Sequence, residues 1–387
     1  MSKTVTILGA TGSVGMQAID VARTRGYKID ALSANRDVRT MESLAREFRP
    51  RAVAMADPSA ARDLKLQLCD TDICVYSGEE GIASLVGETN AETVVNSILG
   101  EAGLIPSLAA IDAGKRLALA NKESLVIAGD IVMSRARERG VEIIPVDSEH
   151  SAIFQSLKAG RQSEIKSIIL TASGGPFFGY TREMLNGVTL ADTLSHPTWK
   201  MGKKITVDSA TLMNKGFELI EAVHLFSVAP ERVRVTIHRE SILHSAVEYI
   251  DNSVVGELSV PDMRMCVQYA VDYPERQPSA SPALDLIGIG SLRFYAPDTS
   301  AFPFLDLARR AITLGGAMPA IMNAADEVAV AAFLNEKIGF TDIYDAVTNT
   351  FELLTAHRAS TDLDGIIAAD REARAIANEQ ISKIGGI

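Results

Sequence analysis

Thr4-Val5-Thr6-Ile7-Leu8-Gly9-Ala10-Thr11-Gly12-Ser13-Val14-Gly15 is the stretch whose reading decides the fold. Thr4–Leu8 has the β-branched, apolar character of a strand, and Val14–Arg25 reads as an amphipathic helix. Glycines at three-residue spacing join them. Such a turn lets the backbone approach a pyrophosphate, and the helix start adds unpaired N–H groups and a positive dipole end. The spacing is GxxGxxG rather than GxGxxG, a variant often found with the phosphorylated dinucleotide. A tight turn of purely structural purpose is the competing reading. The motif nevertheless lies at the start of the first βαβ unit, the context it requires.

Working outward, Lys28–Ser33, Ala52–Met55, Thr93–Asn96, Arg116–Ala118 and Glu142–Val146 read as strands. Arg39–Phe48, Gly103–Ala113 and Ser124–Arg139 read as helices between them. This rhythm predicts a parallel sheet with right-handed crossovers over residues 1–146, the expected NADPH-binding domain. Residues 147–272 form the expected catalytic and metal-binding domain, with strands at Ser167–Thr171, Arg232–Ile237 and Val254–Ser259. Within it, Ala172–Lys204 is rich in Gly, Pro, Thr and Ser and reads as an irregular lid. Pro274, Pro278 and Pro282 mark a linker over 273–298. Leu305–Leu314, Pro319–Leu334 and Ile343–Leu354 predict a helical domain over 299–387. The expected class is therefore α/β: an amino-terminal Rossmann-like parallel sheet, a central α+β catalytic domain and a carboxyl-terminal helical domain.

At 387 residues the chain can bury a sizeable core, and aromatics at 5% favour helices on parallel sheet over an all-β sandwich. A net charge of -11 without a long Lys/Arg run argues against nucleic acid, but not against an anionic small substrate. Cys69, Cys74 and Cys266 form neither a disulfide framework nor a zinc pattern. No signal-peptide core and no membrane-length apolar run is visible, so the expectation is a cytoplasmic protein without membrane partners.

The second strand runs into Ala34-Asn35-Arg36-Asp37, where an adenosine ribose is expected. Arg36 suits a 2′-phosphate and hence NADPH, while Asp37 offers the competing partner for a 2′-hydroxyl. Further on, Ile143-Ile144-Pro145-Val146 ends in Asp147-Ser148-Glu149-His150. Carboxylates at the carboxyl end of a parallel strand sit where open α/β sheets bind ligands, and oxygen donors suit Mg²⁺ or Mn²⁺. Glu218, in Ser209-Ala210-Thr211-Leu212-Met213-Asn214-Lys215-Gly216-Phe217-Glu218, is the candidate third ligand. Alternatively, Asp147 caps a helix and Glu218 is a surface residue. His150, His196, His238 and His244 follow no zinc spacing. His196 precedes Pro197 and Trp199 in the irregular segment, where the Trp suits either a lid or a hydrophobic anchor.

Together these pieces resemble the 1-deoxy-D-xylulose 5-phosphate reductoisomerase family. The resemblance rests on GATGSVG, Leu119–Leu125, Pro145–Ile153, Ser173–Phe177, His196–Gly202, Val207–Glu218, Pro261–Arg264 and Leu305–Phe333, in order along nearly the whole chain. It implies that Asp147, Glu149 and Glu218 hold the metal, Mg²⁺ or Mn²⁺ with Co²⁺ also accepted. It implies that Lys122, Ser148 and Glu149 contact the substrate backbone, and that Ser173, His196, Ser209, Asn214 and Lys215 gather its phosphate, with Glu218 alongside. Glu149, Lys122 and His196 are the implied catalytic side chains. Thr11, Gly12, Ser13, Val14, Asn121, Glu123, Gly202 and Met263 would touch NADPH. At Asn35 and Arg36 the family usually has Gly-Lys/Ser-Asn, and Arg36 supplies the cation here. Trp199 and Met201 would belong to the lid, and His150 and His244 would line the pocket. A homodimer is implied as well.

The implied chemistry is rearrangement of a ketose phosphate by retro-aldol cleavage and recombination, then reduction by NADPH to 2-C-methyl-D-erythritol 4-phosphate. Glu149 and a metal-bound water are both open as the proton carrier. Two other readings compete. An NADP-dependent semialdehyde or homoserine dehydrogenase shares the amino-terminal fold, but an acylating enzyme needs a reactive thiol and only Cys266 lies downstream. A non-catalytic NADPH-binding module would not need Asp147, Glu149 and Glu218.

Overall fold

In a computed structural model, which describes residues 3–199, 201–279 and 281–386, the chain opens with alternating strands and helices. They are β1 (Thr4–Leu8), α1 (Ser13–Arg25), β2 (Lys28–Ala34), α2 (Val38–Phe48), β3 (Ala52–Met55), α3 (Pro58–Gln67), β4 (Cys74–Ser77), α4 (Gly78–Gly87) and β5 (Thr93–Asn96). α5 (Leu104–Asp112), β6 (Arg116–Leu119), α6 (Glu123–Arg139) and β7 (Ile143–Pro145) complete the series. The strands form one sheet in the order β4-β3-β2-β1-β5-β6-β7, with every neighbouring pair parallel. Strands β1, β3 and β5 are almost wholly buried, as a sheet covered on both faces requires. Strand β4 and helices α3 and α4 were not among the expected elements. β4 is a short edge strand exposed at both ends, so its sequence carries little apolar signal.

The chain continues through α7 (Ser148–Ser156), β8 (Ile165–Ala172), α8 (Arg182–Leu185), α9 (Leu190–Thr193), α10 (Lys203–Thr211) and α11 (Met213–Phe226). Then follow β9 (Val233–Ile237), β10 (Leu243–Tyr249), β11 (Val254–Leu258) and α12 (Met263–Asp272). The second sheet has the order β11-β10-β8-β9, with β8 and β9 parallel and the other pairs antiparallel. Ile168, Leu170, Leu219, Ala222, Phe226 and Val247 share a core in which α11 covers this sheet. The expected irregular lid is partly ordered: Thr181 and Thr189 cap α8 and α9, while Ser173–Tyr180 and the described residues between Thr193 and α10 lie outside helix and strand.

The remainder is helical: α13 (Leu286–Ile289), α14 (Phe304–Leu314), α15 (Met318–Leu334), α16 (Asp342–Leu353) and α17 (Leu363–Gly385). Phe304 and Tyr344 are buried with ring centroids 4.5 Å apart. Among the described residues no helix is long and apolar enough to cross a membrane.

The chain divides into two compact units. The first is Met1–Ser124, Val132–Ser151 and Asp262–Ala283; the second is Leu125–Ile131, Ala152–Pro261 and Leu284–Ile387. Sequence boundaries at 146 and 272 therefore separate α12 from the unit it joins. The reason is a set of side-chain ties. Arg264 of α12 reaches Asp20 of α1 at 3.0 Å, Lys3 donates to the Val271 carbonyl at 2.9 Å, and Arg116 donates to that of Tyr273 at 2.8 Å.

Candidate active site

In the first unit the glycine turn is built by close approach. Gly9 has φ 75°, and a Cβ there would lie 2.7 Å from the Ser97 carbonyl oxygen. A Cβ on Gly15 would lie 2.1 Å from the Gly9 oxygen. The turn is pinned by bonds from Ala10 N to Ser33 O (2.8 Å) and from Ser97 Oγ to Leu8 O (2.6 Å). α1 starts at Gly12 with no side-chain cap, so its first N–H groups are available to an anion.

At the end of β2, Arg36 and Asp37 have different partners. Asp37 caps α2, accepting from Thr40 N at 3.0 Å, and hydrogen bonding from the Thr40 hydroxyl, then from this N–H, holds its carboxyl below the usual range. Arg36 is 79% exposed and reaches Asp57 at 3.0 Å, so its guanidinium is presented at the surface beyond β2.

Asn121 is more a builder of the site than a hand extended from it. It is buried, and its Nδ2 lies 2.8 Å from Ile98 O, 2.9 Å from Gly100 O and 2.9 Å from Glu123 Oε2. Its Oδ1 accepts from Ser124 N at 3.0 Å. The side chain thus ties the loop after β5 to the start of α6. Beside it, Lys122 Nζ donates to Asp147 Oδ2 at 3.1 Å. Asp147 Oδ1 accepts from Glu149 N at 3.2 Å and lies 3.6 Å from His150 Nδ1. Ser148 Oγ donates to Glu149 Oε2 at 2.5 Å. Asp147 therefore does sit at a helix start, as its capping alternative anticipated, while an ammonium and a second carboxylate gather at the same strand end.

In the second unit, Ser173 follows β8, and His196 Nε2 stands 2.9 Å from its hydroxyl. His196 Nδ1 accepts from Thr198 N (3.2 Å) and Trp199 N (2.9 Å), which leaves the ring proton on Nε2. Burial, and then the nearby Arg239 guanidinium, push the His196 pKa down to about 4. At neutral pH this ring is a neutral donor that orients Ser173, not a proton carrier. Ser173 Oγ accepts from His196 and, at 3.3 Å, from Gly175 N, so its own proton can point outward to an anion.

Gly175, at φ 63°, brings this loop against α10: a Cβ there would lie 2.8 Å from the Ser209 carbonyl oxygen. Leu212, at φ 62°, joins α10 to α11. In the first turn of α11, Asn214 donates to Glu218 Oε1 at 2.5 Å and Lys215 to Glu218 Oε2. Lys215 and Glu218 are both buried, so Glu218 is not the surface residue of the competing reading. Trp199 stands 6.3 Å from the His244 ring, centroid to centroid. Lys200, inside the His196–Gly202 motif, lies outside the described residues.

Three family models match the chain. That for 1-deoxy-D-xylulose 5-phosphate reductoisomerase covers residues 5–129, and two for carboxyl-terminal domains of the same enzyme cover 143–226 and 258–376. A 1-deoxy-D-xylulose 5-phosphate reductoisomerase of Acetivibrio thermocellus is 50% identical over 98% of this chain and 99% of its own. The chain belongs to the 1-deoxy-D-xylulose 5-phosphate reductoisomerase family. A reductoisomerase from Zymomonas mobilis in complex with NADPH superposes with a TM-score of 0.92 at 40% identity, over 98% of this chain and 99% of that one. A DOX-P reductoisomerase with NADPH, fosmidomycin and magnesium gives 0.94 at 40% identity, over 98% of each chain.

Full-length membership in the reductoisomerase family displaces the dehydrogenase alternatives, and Cys266 is buried in α12. Sequence reading overlooked Arg239, which donates to the carbonyls of Ser173 (3.3 Å) and Gly175 (2.6 Å). In His238-Arg239-Glu240-Ser241, between two strands, it reads as an ordinary solvated turn residue. No local pattern marks it.

Proposed function

We infer that the chain converts 1-deoxy-D-xylulose 5-phosphate to 2-C-methyl-D-erythritol 4-phosphate, using NADPH and a divalent metal, in isoprenoid synthesis. The observation that carries this is family membership along the whole chain, together with structural neighbours holding NADPH and magnesium at 40% identity. When bound, the metal supplies Lewis-acid polarisation of the ketone and adjacent hydroxyl, and NADPH supplies the hydride.

Asp147, Glu149 and Glu218 have the donor chemistry of a divalent-cation set, oxygen throughout, and are proposed to hold Mg²⁺ or Mn²⁺. The ammonium of Lys215 and the amide of Asn214 on Glu218 suit an ionised carboxylate. Lys122 and Ser148, each bonded to one of the first two carboxylates, are proposed to donate to substrate oxygens. Glu149 is proposed as the group that accepts the substrate hydroxyl proton.

Ser173, Ser209, Asn214 and Lys215 are proposed to bind the phosphate, with His196 setting the Ser173 hydroxyl. Thr11, Gly12, Ser13 and Val14 are proposed to hold the pyrophosphate, Asn35 and Arg36 the 2′-phosphate, and Glu123, Gly202 and Met263 other parts of NADPH. Asn121, with its side chain committed to the loop after β5, is proposed to act through backbone and loop shape. Trp199 and Met201 would close over the substrate and exclude water. A cytoplasmic homodimer is the proposed working form, and light scattering after size exclusion tests the dimer.

The deciding assay supplies 1-deoxy-D-xylulose 5-phosphate, NADPH and Mg²⁺ and follows NADPH absorbance. Metal-dependent loss with formation of the branched polyol phosphate supports the reading. Absence of metal-dependent turnover would sink it.

A further inference from the structure

The turn between β9 and β10 carries a cation whose partners are unusual for a turn residue. His238, fully buried, locks this turn. Its Nδ1 donates to Arg293 O at 2.9 Å, and its Nε2 accepts from the N–H groups of Ile242 and Leu243 at 3.1 Å each. The next residue, Arg239, turns its guanidinium onto the loop after β8. It donates to Ser173 O and Gly175 O at 3.3 and 2.6 Å and lies 5.1 Å from the Phe178 ring centroid. Its own carbonyl takes a long bond, 3.5 Å, from the Thr198 hydroxyl.

Arg239 therefore touches the two segments that supply the partners of one hydrogen bond. On one side is the loop that carries Ser173, and on the other the segment that carries His196. The loop needs an external clamp. Gly174 and Gly175 have φ 77° and 63°, and Ser173–Gly175 belong to neither helix nor strand. Consecutive glycines of this kind are free to move unless something pins their carbonyls. Arg239 does so through its Nη1 group, which donates to both carbonyls.

We propose that Arg239 is a positioning residue for substrate phosphate: by clamping the Ser173 and Gly175 carbonyls it holds the Ser173 hydroxyl against His196 and steadies the segment that ends in Trp199. This rests on the reading above that Ser173 and His196 serve the phosphate. It assigns Arg239 no contact with substrate or cofactor.

Two variants and two readouts test it in the full-length protein with NADPH and Mg²⁺. Arg239→Met removes the donor group, whereas Arg239→Gln keeps an NH2 donor without the charge. Arg239→Met should raise the KM for 1-deoxy-D-xylulose 5-phosphate about tenfold, while the KM for NADPH stays within about twofold. Arg239→Gln should recover part of the loss. Trp199 is the single Trp of the chain, so its emission reports the anchored segment directly. Acrylamide quenching of free protein should increase in Arg239→Met and less so in Arg239→Gln. Equal rises in both KM values, a Gln variant as impaired as Met, or unchanged quenching would each overturn the proposal. If the wild type fails to turn over the substrate, the functional reading fails, and quenching still decides whether Arg239 holds the segment.

Discussion

His196 presents a protonated Nε2 to the Ser173 hydroxyl, 2.9 Å away, because its Nδ1 is taken by two backbone N–H groups. The ring is thus committed to one tautomer, and protonating Nδ1 would break the bonds that shape residues 196–199. Burial, and then the nearby Arg239 guanidinium, depress its pKa.

That depression sets a pH window for stability. The folded ring titrates at about 4 against 6.5 for the unfolded chain, so the unfolded state binds the proton first as pH falls. The stabilisation from a neutral His196 is complete above pH 6.5 and is lost progressively towards pH 4. His196→Asn, which can still accept at the Nδ1 position, should lose less stability over that window than the wild type. Denaturant titrations across the range measure the difference, and identical slopes for the two proteins would count against the neutral ring.

Glu218 accepts from Asn214 and Lys215 inside a buried helix turn, so its charge is matched before any metal arrives. Glu218→Gln keeps the shape but removes the anion. Turnover should fall roughly a thousandfold, the several kcal/mol that Lewis-acid assistance supplies. NADPH affinity, measured by fluorescence titration, should stay near the wild-type value, and added Mg²⁺ should no longer raise the melting temperature. Equal loss of NADPH binding would make Glu218 a structural residue.

Arg36 and Asp37 are adjacent in sequence, but Asp37 caps α2 while Arg36 lies exposed beside Asp57. Arg36→Ala should raise the KM for NADPH about tenfold and leave that for NADH nearly unchanged, as expected for one charge-assisted contact. Asp37→Ala should instead cost about 1 kcal/mol of stability through the lost α2 cap, with cofactor preference intact. A shift of preference in Asp37→Ala would show that the carboxylate, and not the arginine, meets the ribose.

What could be read from sequence follows the strength of local signals. β1 through the glycine turn into α1 combines alternation, glycine spacing and helix periodicity, and all three agree. β10 was missed because Leu243-His-Ser-Ala-Val-Glu-Tyr buries polar His244 and Ser245 among apolar neighbours, which hides the strand pattern. α17 was missed for the opposite reason. Its buried stripe, Ile366, Ala369, Ala373, Ala377 and Ile381, has helical spacing but is mostly alanine. The site was legible where carboxylates and cations cluster in short motifs. The tie from Asn121 to the carbonyls of Ile98 and Gly100, and that from Arg239 to Ser173, join distant parts of the chain by ordinary residue types, and such pairs leave no mark in either segment.

Gly12 and Gly15 belong to one motif yet face different constraints. A Cβ at Gly12 would lie 3.2 Å from the Gly9 oxygen, a separation that small backbone shifts can relieve, and its φ is -80°. At Gly15 the separation would be 2.1 Å, with the Ala10 Cα only 2.8 Å away. Gly15→Ala must therefore push α1 off the turn, and should lower stability by about 1–3 kcal/mol, the range for overpacking a tight contact. Gly12→Ala should fold almost normally but weaken NADPH binding, because its methyl would occupy the space where the pyrophosphate approaches the backbone. Denaturation and NADPH titration of the two variants separate packing from cofactor approach. If Gly12→Ala bound NADPH as the wild type does, the helix start at Gly12 would not be the pyrophosphate cradle.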